Sequence, residues 1–221
     1  MSLGSATEKI SVLLVDDHAV VREGYRRLLE KRGDIVVVGE ADNGADAYER
    51  FCKLEPNVVV LDIALPGISG IETMRRILAR DDRTRVLIFS MYEDGIYADR
   101  ALKAGASGYV TKASAPSVLV DAVHTVARGK QYLSPDVAQK LALRITASSP
   151  GTARNLSPRE FEILRLLVKG TSVKDIADSM GLNPKTVANH QSAIKQKLGA
   201  ESGLQLIRIG EDILSGARRR K

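Results

Sequence analysis

Five short apolar runs, each followed by a stretch of helical periodicity, limit what this chain can fold into. They are Ile10–Val15, Ile35–Gly39, Val58–Asp62, Arg85–Ser90 and Gly108–Lys112. Val58-Val59-Val60-Leu61 is four consecutive aliphatics, three of them β-branched, as suits a strand buried on both faces of a parallel sheet. Parallel strands cannot be joined by a tight hairpin and need a helical crossover. The intervening segments provide one each time. Val20, Val21, Tyr25, Leu28 and Leu29 recur at helical spacing before Gly33; Asn43 caps a helix through Ala47, Tyr48, Phe51 and Leu54; further helices run from Ile71 to Leu78, from Ile96 to Ala104, and through Val118 to Val126. Residues 9–128 are therefore predicted to form an α/β doubly wound five-stranded parallel sheet.

The polar residues fall at one edge of that sheet. Asp16 and Asp17 follow the first strand, Asp62 ends the third, Ser90 the fourth and Lys112 the fifth. Open parallel sheets bind ligands just past the carboxyl ends of their strands. One Asp at a strand end is an ordinary turn or cap residue, but five matching groups at four strand ends are not a coincidence of turns. Three gathered carboxylates repel unless a cation neutralises them, and hard oxygen donors of this kind select Mg²⁺. Lys112 and Ser90 offer a positive charge and a hydroxyl donor suited to phosphoryl oxygens. Asp62 then has the chemistry of a carboxylate nucleophile.

This pattern resembles the receiver domain of bacterial two-component response regulators. The resemblance takes in Leu65-Pro66-Gly67-Ile68-Ser69-Gly70 and Ala104-Gly105-Ala106-Ser107-Gly108-Tyr109 as well. It implies a flavodoxin-like fold with Asp62 as phosphoacceptor, Asp17 and Asp62 as direct Mg²⁺ ligands, and Asp16 holding the ion through water. It makes Ser90 and Tyr109 the switch pair and Lys112 the phosphate-contacting cation. The sequence departs from the family in placing Ala113, not proline, after Lys112, where a cis peptide would cost about 3 kcal/mol.

Charge divides the chain. Residues 1–127 carry 16 Lys and Arg against 19 Asp and Glu, whereas residues 156–221 carry 12 against 7. A basic rear segment is a candidate for nucleic acid, although Arg218-Arg219-Arg220-Lys221 supplies most of the excess. Residues 129–155 read as a connector, with a short helix over 136–145 and a linker, rich in small residues and Pro, over 147–154.

Residues 156–217 read as a small all-α domain. Ser157-Pro158-Arg159-Glu160 is a capping box with proline at the first helical position. A short second helix, a turn at Gly181-Leu182 and a third helix from Pro184, capped by Asn183, make a helix-turn-helix, and a fourth helix spans about 202–214. Val187, Ile194 and Leu198 mark the third helix's inner face. Its outer face presents Lys185, Ala188, Asn189, Ser192, Lys195 and Gln196, types able to meet base edges and phosphates. Taken alone, the pattern equally suits a helical bundle with a solvated face, and His190 reads as a packed or phosphate-facing side chain.

Residues 156–199 resemble the four-helix LuxR-type DNA-binding domain, which joined to a receiver defines the NarL/FixJ family of response regulators. The resemblance implies a transcription factor, not an enzyme, that is phosphorylated by a sensor histidine kinase. It implies double-stranded DNA contacted through Lys185, Thr186, Ala188, Asn189, Ser192 and Lys195, and a homodimer when phosphorylated or DNA-bound. Ala188 stands where the family usually has lysine, and Gly203 is a weak helix residue near the start of the fourth helix. Two other classes stay open: an enzyme turning over an aspartyl phosphate, and a rear domain that binds protein.

No run of about 18 apolar residues supports a membrane span. There is no basic, apolar leader, and the lone Cys52 is expected to be a buried structural thiol. These features predict a cytoplasmic protein.

Overall fold

In a computed structural model, residues 9–93, 95–146 and 156–215 are described, and the chain divides into two units after Gln139. The first holds β1 (Ile10–Val15), α1 (Ala19–Glu30), β2 (Ile35–Ala41), α2 (Gly44–Leu54), β3 (Val58–Leu61), α3 (Gly70–Arg80), β4 (Arg85–Ser90), α4 (Gly95–Lys103), β5 (Gly108–Thr111), α5 (Pro116–Ala127), β6 (Tyr132–Leu133) and the start of α6 (Pro135–Thr146). All strand pairs are parallel, in the order β2-β1-β3-β4-β5-β6. Every residue of β3 is buried, as its unbroken apolar run requires.

Alternation along the strands divides the core between two faces. Val12, Leu14, Val58, Val60, Leu87, Phe89 and Val110 pack with Leu29 of α1 and with Leu119, Val123 and Val126 of α5. Leu13, Val59, Leu61, Val86 and Ile88 point the other way and are also buried. Each such side chain contributes roughly 1.5–3 kcal/mol. Asn43 caps α2 by accepting from the N–H groups of Ala45 and Asp46, and Ser69 caps α3 through Glu72.

The sheet has six strands where five were expected. β6 joins the outer side of β5: the Tyr132 N–H donates to Ser107 O at 3.1 Å and the Ser134 N–H to Tyr109 O at 3.0 Å. Two residues are too few to carry a periodic signal. A Cβ on Gly108 would lie 2.6 Å from the Tyr132 carbonyl oxygen, so this pairing depends on glycine there. Two side chains also differ from the helical reading. Cys52 is exposed, because it lies one helical step beyond the buried Phe51, and Val20 is 87% exposed.

The second unit contains α7 (Pro158–Val168), α8 (Val173–Ser179), α9 (Pro184–Leu198) and α10 (Gly203–Ser215). Phe161, Leu164, Ile176, Val187, Ile194 and Leu206 form its core. A Cβ on Gly210 would fall 2.5 Å from Val168 Cγ2, so α10 packs closely on α7. The predicted linker over 147–154 and the terminal basic run lie outside the described residues. Among the described residues no helix is long and apolar enough to cross a membrane.

The capping box at Ser157 has a second task. Glu160 accepts from the Ser157 N–H at 2.6 Å and takes Lys197 Nζ of α9 at 2.7 and 2.8 Å on its two oxygens. Burial alone would raise the Glu160 pKa; the Lys197 ammonium and the Ser157 donors outweigh it and hold the carboxyl below its usual value. A depressed folded-state pKa means that the folded form binds fewer protons. The stabilisation is therefore complete above the unfolded value of about 4.3 and is lost as pH falls through the folded pKa. Glu160→Gln should destabilise the second unit by about 1–2 kcal/mol at pH 7. Thermal melts of that unit between pH 7 and 3 check this, and the variant should lose less on acidification than the wild type.

Candidate functional site

The sheet order reverses at β1, which lies between β2 and β3. Loops leaving β1 and β3 diverge to opposite faces there and open a crevice. Asp16 follows β1 and Asp62 follows β3, tied together by the Asp62 N–H donating to Val15 O at 3.0 Å. Both carboxylates are buried, at 2% and 3% exposure, and Asp17 beside them is exposed. Lys112, one residue past β5, reaches across with Nζ 2.5 Å from Oδ2 of both Asp16 and Asp62. Burial works to lower the Lys112 pKa, but the two carboxylates more than offset it and raise the pKa. Four of the predicted residues thus meet in one place.

Asp62 is fixed from several directions. Its Oδ1 accepts the Ala64 N–H at 3.1 Å, and the chain then folds back so that Gly70 N–H donates to Ile63 O at 3.0 Å. The approach is close: a Cβ on Gly70 would stand 2.0 Å from the Asp62 carbonyl oxygen. Ser90 and Tyr109, at the ends of β4 and within β5, are fully buried. The Tyr109 hydroxyl donates to Tyr92 O at 2.7 Å, and the Tyr92 N–H lies 3.4 Å from Ser90 Oγ. Burial drives the Tyr109 pKa far up, so the phenol stays a neutral donor. The Tyr92 ring stacks on Tyr97 of α4 at 4.4 Å. The loop between β4 and α4 is therefore held by the buried tyrosine.

Sequence reasoning missed two neighbours of Asp16. His18 places Nδ1 2.8 Å from Asp17 Oδ1 and 3.4 Å from Asp16 Oδ1. Arg22 of α1 donates to the Asp16 carbonyl oxygen at 2.6 Å and to Glu40 of β2 at 2.9 Å. His18 adjoins the acidic pair and could have been marked; the partners of Arg22 are set by tertiary structure. The peptide bond after Lys112 is trans, as are all others described, which removes the cost considered for Ala113.

In the second unit the six nominated residues share α9. Lys185, Ala188, Asn189 and Ser192 are exposed, and Thr186 and Lys195 half-buried, opposite the buried Val187, Ile194 and Leu198. The Ser192 hydroxyl donates to Ala188 O at 3.1 Å, leaving its lone pairs outward. Asn183 caps the helix by accepting the Lys185 N–H. His190 is half-buried.

Residues 12–124 match the response regulator receiver domain, and residues 154–209 match the bacterial regulatory proteins of the luxR family. The chain is 37% identical over 201 residues to response regulator GacA of Pseudomonas viridiflava, covering 89% of this chain and 93% of that one. It belongs to the NarL/FixJ family of response regulators. Two solved structures of such regulators bear comparison. A LuxR-family two-component response regulator from Aurantimonas sp. SI85-9A1 is 45% identical, with a TM-score of 0.62, over 63% of this chain and 99% of that one. RcsB from Salmonella enterica serovar Typhimurium, bound to a promoter in the presence of phosphomimetic BeF3-, is 27% identical, with a TM-score of 0.65, over 93% and 100%. A NarL/FixJ regulator is a transcription factor built from a receiver and a LuxR-type DNA-binding domain, and both parts are present here.

Proposed function

We propose that Asp62 accepts a phosphoryl group from a sensor histidine kinase, with Mg²⁺ present, and that this modification controls the binding of α9 to double-stranded DNA. The observation that carries the reading is the Lys112 ammonium set between the buried carboxylates of Asp16 and Asp62 at 2.5 Å. Strand ends of a parallel sheet rarely place three carboxylates and a buried lysine together without a polyanionic ligand to serve.

The donor set suits a hard cation. Asp16 and Asp17 offer ligand atoms within 4.8 Å of each other and of His18, and Asp62 Oδ2 lies across Lys112 Nζ from Asp16 Oδ2. Asp17 and Asp62 would hold Mg²⁺ directly and Asp16 through water, and the bound ion would neutralise phosphoryl oxygens as charge develops on them. An Asp62 carboxylate oxygen attacks phosphorus; the new P–O bond forms as the P–N bond to the kinase histidine breaks, and that imidazole leaves with the electron pair. Lys112 shifts from the Asp62 carboxylate to an oxygen of the added group. Ser90 supplies a hydroxyl to another, drawing on the β4–α4 loop that Tyr109 holds. Water later cleaves the acyl phosphate, releasing inorganic phosphate and restoring the Asp62 carboxylate, which ends the signal.

Outward from α9, Asn189 is the candidate for adenine edges. Lys185 and Lys195 meet phosphate or guanine, Thr186 and Ser192 add hydroxyl contacts, and Ala188 offers only a methyl group. Paired half-sites match a homodimer of the phosphorylated protein. The reading places the protein in the cytoplasm with its DNA target.

Intact mass after incubation with Mg²⁺ and a small acyl phosphate should show one added phosphoryl group. Asn189→Ala and Lys195→Ala should each weaken binding to target duplex by about 1–3 kcal/mol, or roughly 5-fold to 150-fold, and leave phosphorylation unchanged. Fluorescence anisotropy across a salt series checks this. Salt-independent binding, or affinity for duplex DNA unmoved by either substitution, would show that α9 faces a different partner.

A further inference from the structure

The turn that carries Lys112 is closed by a carboxylate from outside the five strand–helix repeats. The Ser114 N–H donates to Thr111 O at 3.1 Å, making a four-residue turn with Lys112 and Ala113 at its corners. The hydroxyls of Thr111 and Ser114, at its two ends, are 2.9 Å apart. Both lead to Asp136 in the first turn of α6: Thr111 Oγ1 donates to Asp136 Oδ2 at 3.0 Å, and Ser114 Oγ to Oδ1 at 3.4 Å. Thr111 is fully buried, and α6 is seated beside it by the buried Val137 and by the Ser134 N–H on Tyr109 O. Burial works to raise the Asp136 pKa, but the hydroxyl and N–H donors around it hold the carboxyl below its ordinary value, so it is an acceptor at neutral pH.

The covalent chemistry of this turn gives it no stiffness of its own. Ala113 leaves φ the ordinary allowed range where proline would fix it. Lys112 is a long, four-carbon side chain whose ammonium must stand against Asp62, and an error in the turn is passed to that end. Asp136 grips the residue before Lys112 and the second residue after it, which constrains the turn from both sides.

We propose that Asp136 is a positioning residue for Lys112: by holding Thr111 and Ser114 it fixes the turn that sets the Lys112 ammonium against Asp62. The proposal rests on the phosphoacceptor reading of that site. It assigns to α6, at its first turn, a direct hold on the cation that meets the phosphoryl group.

The full chain tests it with beryllium fluoride, a phosphoryl mimic, titrated in saturating Mg²⁺ and followed by amide NMR, beside a separate titration of Mg²⁺ alone. Asp136→Ala and Thr111→Val should each weaken beryllium fluoride binding about tenfold, because Lys112 contacts the phosphoryl oxygens, and leave Mg²⁺ affinity within about twofold. In a Lys112→Ala background, Asp136→Ala should add less than about twofold, since a residue acting through another is not additive with it. Thr111→Val breaks the shorter of the two bonds to Asp136 without touching α6, so it decides the matter should Asp136→Ala fail to fold. Unchanged beryllium fluoride binding in the variants that fold overturns the proposal. So does an equal loss of Mg²⁺ affinity, or the same tenfold loss in the Lys112→Ala background. A wild type that binds no beryllium fluoride overturns the phosphoacceptor reading, and this proposal with it.

Discussion

Asp62→Asn is expected to take up no phosphoryl group under conditions in which the wild type takes up one. The amide matches the carboxylate in shape, so Ala64 N–H keeps its acceptor and the backbone around Gly70 is undisturbed. Lys112 retains Asp16 as a partner at 2.5 Å, so the buried ammonium is not left without a counter-charge. What disappears is the anionic nucleophile, because an amide oxygen cannot displace the donor's leaving group at a useful rate. Intact mass spectrometry after incubation with Mg²⁺ and an acyl phosphate measures this directly, and the loss should be complete within detection. Labelling of the variant at the wild-type level would move the phosphoacceptor to another residue.

Gly70→Ala should be the most damaging small substitution in the first unit. A methyl group there would stand 2.0 Å from the Asp62 carbonyl oxygen and 2.8 Å from Ile63 Cα, and both are backbone atoms with no rotamer to yield. Overpacking of a close-fitted site costs typically 1–3 kcal/mol. With backbone on the receiving side we expect about 3 kcal/mol, or roughly a 10 °C drop in Tm. Phosphorylation should slow as well, because displacing the Asp62 carbonyl displaces its carboxylate. Gly203→Ala is the matched control. Nothing lies within 4 Å of a Cβ there, and the residue opens α10, so alanine should stabilise the second unit by about 0.5–1 kcal/mol. Differential scanning calorimetry on both variants separates a steric fault at Gly70 from a general response to alanine.

Much of this was legible because the strands are short and end on polar residues. An apolar run breaking at Asp16, Asp62, Ser90 or Lys112 reveals both the strand and the group that it presents, and parallel topology brings those ends to one edge. Capping residues were equally readable at Asn43, Ser157 and Asn183, since a cap is local. The contacts that hold the sites were not legible. Arg22 meets Asp16 and Glu40, Glu160 meets Lys197, and Asp136 meets Thr111, at separations of 6 to 37 residues that no periodicity marks. Helical spacing also gives the direction of an apolar face without its width, which is why Cys52 and Val20 lie outside cores they were expected to join or extend.

The sixth strand bears on solubility. Without it β5 would end the sheet, offering a buried-type apolar strand and its open N–H and C=O groups to any extended chain nearby. With it the sheet ends on two residues, Tyr132 and Leu133, too few to template another strand. At the far edge, the Glu30 carboxylate of α1 accepts the Val37 N–H of β2 at 3.0 Å and occupies a donor there. Each margin of the sheet thus offers a chance partner fewer open backbone groups than a bare edge strand would.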